Sequence, residues 1–189
     1  MKIKFIITFI ILAFLKVEIS YSQYSNRYFE LTKNLKPIDS ITKIKKSRKN
    51  GRLKEVSKYL VYEYKGCTYE VVSGKQQLFD KKGRLFYEVF YDSFGNLIYQ
   101  KQFNNSNQLY KIIETTKIDL KPETTLDEIL NSNRKTLVES YEKKYESNER
   151  KGNLKLWKEG KRLNGRKIGE WKTYNLCDQT FKIKGYKKK

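Results

Sequence analysis

From Phe79 to Leu109 the chain repeats every twelve residues. Phe79-Asp80, Tyr91-Asp92 and Phe103-Asn104 fall in one column, Gly83, Gly95 and Asn107 in a second, and Leu85, Leu97 and Leu109 in a third. Between these columns apolar and polar residues alternate, the period of a strand with one buried face. Asp80, Asp92 and Asn104 each suit the first position of a turn, because the side chain accepts hydrogen bonds from backbone further on. Gly83, Gly95 and Asn107 take the left-handed position that closes a three-residue hairpin loop with a bulge. Each unit is therefore one strand and one tight turn, and successive units form an antiparallel meander.

Counting outward from the turns sets Tyr91 against Leu97, Val89 against Tyr99, Leu85 against Phe103 and Phe103 against Leu109. The same count sets Lys101 against Lys111. One face would then be a nearly continuous aromatic and aliphatic layer through Tyr87, Val89, Tyr99 and Ile113. A slip of one residue would exchange the two faces, so the turn glycines act as register pins.

Upstream, Tyr59 to Tyr64, Cys67 to Val72 and Lys75 to Phe79 read as strands divided at Lys65-Gly66 and Ser73-Gly74. Residues 23–37 predict a short helix with Tyr28, Phe29, Leu31 and Leu35 on one side and Pro37 at its end. Downstream the period changes. Thr125-Leu126-Asp127-Glu128 is a capping box. Leu126, Ile129, Leu130, Leu137, Tyr141 and Tyr145 then recur at helical spacing, which predicts an amphipathic helix or a broken pair across 120–148. Asn164-Gly165 is a further hairpin signal.

The first residues change the address. Lys2 and Lys4 precede an apolar run from Phe5 to Leu15, and Ser20-Tyr21-Ser22 is a small-x-small sequence, together the pattern of a secretory signal peptide cleaved after Ser22. The expected divisions are a signal peptide at 1–22, an N-terminal segment with the short helix at 23–50, a hairpin meander at 51–119, the helix at 120–148 and a closing hairpin unit with a basic tail at 149–189. Export to the periplasm or beyond follows, with no transmembrane segment once the signal is removed. Oxidation is permitted there, so a disulfide between Cys67 and Cys177 is one option and two separate thiols the other.

Charge narrows the partner. The 189 residues carry 41 Lys and Arg against 21 Asp and Glu, a formal net charge of +20. Such a charge favours anionic partners: an envelope polymer or lipid, or an acidic protein. Few of the cations are Arg, the residue suited to bidentate phosphate recognition, which weighs against nucleic acid. Lys187, Lys188 and Lys189 end the basic tail, and Trp157, Trp171 and Tyr174 are candidate contact residues. The chain has no His, so Ser-His-Asp and Cys-His catalysis are excluded, and no metal site or cofactor is expected. The carboxylates Glu139 and Glu142 read as solvated partners of neighbouring lysines on the helix.

The segment Gly165-Arg166-Lys167-Ile168-Gly169-Glu170-Trp171-Lys172-Thr173-Tyr174 resembles the variant MORN repeat, with Gly165, Lys167, Gly169, Trp171 and Tyr174 on the family's pattern. The twelve-residue units resemble degenerate members of the same class. The resemblance implies an elongated hairpin array used for binding or scaffolding without catalysis, sometimes labelled antitoxin-like, and it gives Trp171 a packing role within the repeat. After Tyr174 the family's Asp-x-x-Gly turn is replaced by Asn175-Leu176-Cys177-Asp178.

The expected fold is mainly β, an antiparallel hairpin meander of MORN-like repeats with one amphipathic helix packed on or between sheet segments. The expected function is non-catalytic binding of a partner or an anionic envelope component as a scaffold. A specific inhibitor or immunity protein for an acidic toxin or enzyme is the alternative. A carbohydrate-active enzyme with paired carboxylates is the third.

Overall fold

The computed structural model describes residues 23–131, 136–147 and 152–187. Residues 1–22, where a signal peptide is expected, and the terminal Lys188 and Lys189 lie outside the described residues. Within them ten strands form one sheet in chain order, every pair antiparallel. The strands are β1 (Asp39–Lys46), β2 (Leu53–Tyr64), β3 (Cys67–Phe79), β4 (Leu85–Tyr91), β5 (Leu97–Phe103), β6 (Leu109–Leu120), β7 (Thr136–Ser147), β8 (Leu154–Leu163), β9 (Arg166–Tyr174) and β10 (Phe181–Tyr186). Two short helices accompany them, α1 (Asn26–Thr32) and α2 (Leu126–Leu130). The fold is thus a mainly β, antiparallel hairpin meander with a small helical element.

The twelve-residue units build one turn three times. Asp80 Oδ1 accepts from the backbone N–H of Lys82 (2.8 Å) and Arg84 (2.9 Å). Asp92 Oδ1 accepts from Phe94 (2.8 Å) and Asn96 (2.7 Å), and Asn104 Oδ1 from Ser106 and Gln108 (both 2.9 Å). Gly83, Gly95 and Asn107 sit at φ 83°, 72° and 59°. At the last hairpin Asn175 repeats the move by accepting from Cys177 N–H, but its own N–H donates to Thr180 rather than to the fourth residue on, so this loop is one residue longer. Asn164 and Gly165, both at positive φ, turn β8 into β9.

The turn-adjacent pairs Tyr91–Leu97 and Phe103–Leu109 are those expected, but the pairs beyond them differ by one. Each turn carries a bulge, so Phe90 lies opposite Tyr99, Val89 opposite Gln100 and Gln102 opposite Lys111. The extra residue reverses the inward and outward sense along the rest of the strand. Tyr99 therefore leaves the side of Val89 and stacks on Phe90, centroids 5.6 Å apart. Lys101 faces Ile112, not Lys111.

The helix expected across 120–148 is corrected. Only Leu126–Leu130 is helical, started by the Thr125–Glu128 capping box, and residues Thr136–Ser147 form β7 between β6 and β8. Spacings of four residues, such as Leu137, Tyr141 and Tyr145, are also even, so they satisfy a strand as well as a helix. Upstream, β3 runs unbroken through Ser73-Gly74, where Gly74 at φ 64° accommodates an irregularity in place of a turn. Residues 39–46, expected only as part of the N-terminal segment 23–50, form the edge strand β1.

The buried clusters sit under the helices, against β2, β3 and β6. Ser25 caps α1 by accepting from Tyr28 N–H, and residues 23–25 hydrogen-bond alongside Ile118 of β6. Tyr28, Ile118, Leu120 and Ile129 form one buried cluster, and Tyr62, Val71 and Leu130 another. Phe94, from the β4–β5 turn, touches both and stacks on Tyr62 at 5.6 Å. Burial of such side chains contributes roughly 1.5–3 kcal/mol each. No helix among the described residues is long and apolar enough to cross a membrane.

Candidate functional site

Two places collect polar chemistry. The first is a cavity of about 520 Å³ between α1 and the β4–β5 turn, lined in part by Tyr24, Tyr28, Phe29, Asp92 and Phe94. Its carboxylate is fully used. Asp92 Oδ2 accepts from Asn96 Nδ2 (2.8 Å), Tyr24 (3.2 Å) and Tyr28 (3.3 Å), while Oδ1 closes the turn. Burial first, then the charge of Asp92, pushes the Tyr24 and Tyr28 hydroxyls well above the usual phenol range. The cluster ties α1 to the sheet.

The second is one face of β6 to β10, where the register sets cations side by side. Lys111 lies directly opposite Lys144, and Lys144 opposite Lys158. The same level continues through Gln102 on β5, Thr173 on β9 and Lys182 on β10. One level along runs Ile113, Glu142, Gly160, Trp171 and Lys184. Beyond it Arg162 faces Lys167. Residues directly opposite share a face, so these three levels form one surface. Lys111, Lys144, Lys158, Arg162 and Lys167 are all half-buried.

Glu142, only 4% exposed, is the carboxylate inside this group. Its Oε2 lies 2.8 Å from Arg162 Nε and 3.3 Å from Lys111 Nζ. The expectation of a solvated Glu142 on a helix is thereby overturned: the strand turns it inward, between two cations. No carboxylate among the described residues lies in ion-pair contact with Lys144, Lys158 or Lys167. Aromatic rings hold these cations instead. Lys144 Nζ is 4.3 Å and Lys158 Nζ 5.5 Å from the Trp157 centroid, and Lys167 Nζ is 4.4 Å from that of Trp171. Burial, and after it the charge of Lys158, depresses the Lys167 ammonium below the usual lysine range.

The expected contact residues separate. Trp157 belongs to the cationic face, under its two lysines. Trp171 is fully buried, lies flat on Gly160 and donates from Nε1 to the Lys161 carbonyl at 2.9 Å, so it offers no surface to a partner. Tyr174 donates to Glu159 at 2.6 Å, a bond that, with burial, pushes its hydroxyl up to about 12. Lys187 is exposed just beyond β10. Asp80, Gly83, Asp92, Gly95, Asn104, Asn107 and Gly165 lie in hairpin turns, and Gly169 lies within β9 at φ 61°. Cys67 and Cys177 are exposed and not joined, one at the β2–β3 hairpin and the other beyond β9, six strands away in the sheet order. Lys111, Lys144, Lys158, Arg162 and Glu142 were not singled out as a site, because β7, which aligns them, was read as helix.

Comparison with known proteins adds no relative: no family model, curated protein or solved structure matches the chain.

Proposed function

We propose that this protein is an exported, non-catalytic binding scaffold of the MORN-like hairpin class, and that the cationic face of β6 to β10 holds an anionic component of the cell envelope. The observation that carries this reading is the direct opposition of Lys111, Lys144 and Lys158. Like charges placed opposite one another destabilise a sheet, and an anionic ligand relieves that cost in the complex. The net charge of +20 acts in the same direction by drawing anions to the surface.

The test uses residues 23–189 as bait for envelope fractions, with parallel washes at low and high salt. Retention of anionic envelope material at low salt and its release at high salt is the expected result. A single protein held stoichiometrically through the high-salt wash would replace this reading with the inhibitor. One feature favours that second reading: Phe181 (49% exposed) and Ile183 (53%) stand on the outermost strand, β10, beside Tyr174. An edge strand with apolar side chains can accept a strand from a protein partner.

A further inference from the structure

We propose that the ligand of the β6–β10 face is a linear polysaccharide with a carboxylate or sulfate on successive sugars, lying across the strands along Gln102, Lys111, Lys144, Lys158, Thr173 and Lys182. The inference rests on the binding role proposed above and names the class of its ligand.

Geometry selects a chain over a compact anion. Adjacent strands are spaced by about 4.8 Å, so the backbone positions of Lys111, Lys144 and Lys158, directly opposite one another, repeat at close to the length of one sugar residue. The line is flanked by neutral donors, Gln102 on one side and Thr173 on the other, and resumes with Lys182. Hydroxyl-rich units between charges match such a mixture. A single phosphate would engage two or three of these groups and leave the rest of the like-charged row uncompensated.

Charge chemistry selects carboxylate or sulfate. Bidentate phosphate recognition is the work of Arg. Among the described residues the Arg on this face, Arg162, is already committed, to Glu142 and to the Gly165 carbonyl. What remains is lysine, a hydrated point charge that pairs with singly charged groups.

Two other polyanions fit less well. Single-stranded nucleic acid binds by stacking bases on open aromatic rings. Here Trp171 is buried and Trp157 lies beneath Lys144 and Lys158. An anionic bilayer meets protruding cations, whereas Lys111, Lys144 and Lys158 are half-buried. The neighbouring hollow, lined by Leu97, Gln100, Ile113, Ser140 and Arg162, has a volume of about 480 Å³. It is open to a flexible chain and not to a planar surface.

The test is calorimetric titration of residues 23–189 with polygalacturonate and heparin, beside neutral dextran, an oligo-dT strand and phosphatidylglycerol vesicles. Lys144→Gln/Lys158→Gln is compared with Lys49→Gln/Lys54→Gln, an equal loss of charge at exposed positions near the far edge. The expected result is binding to at least one acidic glycan and none to dextran. The Lys144→Gln/Lys158→Gln variant should lose tenfold or more in affinity, and the Lys49→Gln/Lys54→Gln variant less than twofold. A melting temperature in Lys144→Gln/Lys158→Gln equal to or above that of the parent shows that the fold is intact.

Equal losses in the two variants would overturn the site while leaving the anionic binding role standing. Stronger binding to oligo-dT or to vesicles than to either glycan would overturn the ligand class alone. Binding to no polyanion would overturn the inference and the proposed function together.

Discussion

Gly160 and Trp171 face each other across β8 and β9, and the indole occupies the space a side chain at 160 would fill. Gly160→Ala forces the ring off its hydrogen bond to Lys161 and should cost about 1–3 kcal/mol, seen as a lower urea midpoint with unchanged slope. Glu142 works the other way. Removing its charge leaves Lys111 and Arg162 half-buried beside Lys144 with no counter-charge. Glu142→Gln should cost about 3–5 kcal/mol and raise the affinity for an acidic glycan, both measurable on one preparation. On the opposite edge, hydrogen bonds from Lys45 and Ser57 hold the Glu55 carboxyl at about 2. Its folded value is below the unfolded one, so its contribution is complete above the ordinary carboxylate range and is lost as the pH falls from about 4.5 toward 2. Carboxyl chemical shifts followed by NMR check this, and Lys45→Met should move the Glu55 midpoint upward.

At the scale of elements, the turns were the most legible part of the sequence. Asp80, Asp92 and Asn104 announce their own hydrogen bonds, and Gly83 takes a φ of 83° in open space. A methyl group there meets no neighbour, so Gly83→Ala isolates the backbone penalty, about 1–2 kcal/mol, read as a lower melting temperature. The pairing beyond each turn was less legible. The bulge was implied by the same three residues, but a straight count from Tyr91–Leu97 ignores it and misplaces Val89 and Lys101 by one. β7 was the larger loss. A capping box at Thr125 followed by apolar residues at spacings of four describes a long helix. Asn131-Ser132-Asn133 marks a break after Leu130, but nothing local records that Leu137, Tyr141 and Tyr145 beyond it alternate within a strand. With β7 hidden, Lys144 could not be set between Lys111 and Lys158, and the cationic face was visible only as excess charge.

For the whole molecule, the formal charge is +20, and the two outermost strands of the sheet are rich in lysine: Lys43, Lys45 and Lys46 on β1, Lys182 and Lys184 on β10. Such edges resist pairing with further copies. Self-repulsion should ease as the screening length falls from ~30 Å at ~0.01 M salt to ~3 Å at ~1 M. The melting temperature should therefore climb with sodium chloride, followed by circular dichroism. Much of that gain should disappear in Lys144→Gln/Lys158→Gln, where part of the repulsion has already been removed.

The order of the strands in the sheet is their order in the chain. Within the sheet each strand is held by its neighbours in sequence, and the longer ties come from the helical segments, residues 23–25 to Ile118 and Leu130 to Tyr62 and Val71. Pulled by its two ends, such a chain peels from the outside inward, breaking a few backbone bonds at a time, like a zip and not like a clasp. It would yield length hairpin by hairpin from β10, while at the other end the load falls first on residues 23–25 and α1, whose bonds to Ile118 and buried Tyr28 must give way before β1 is reached.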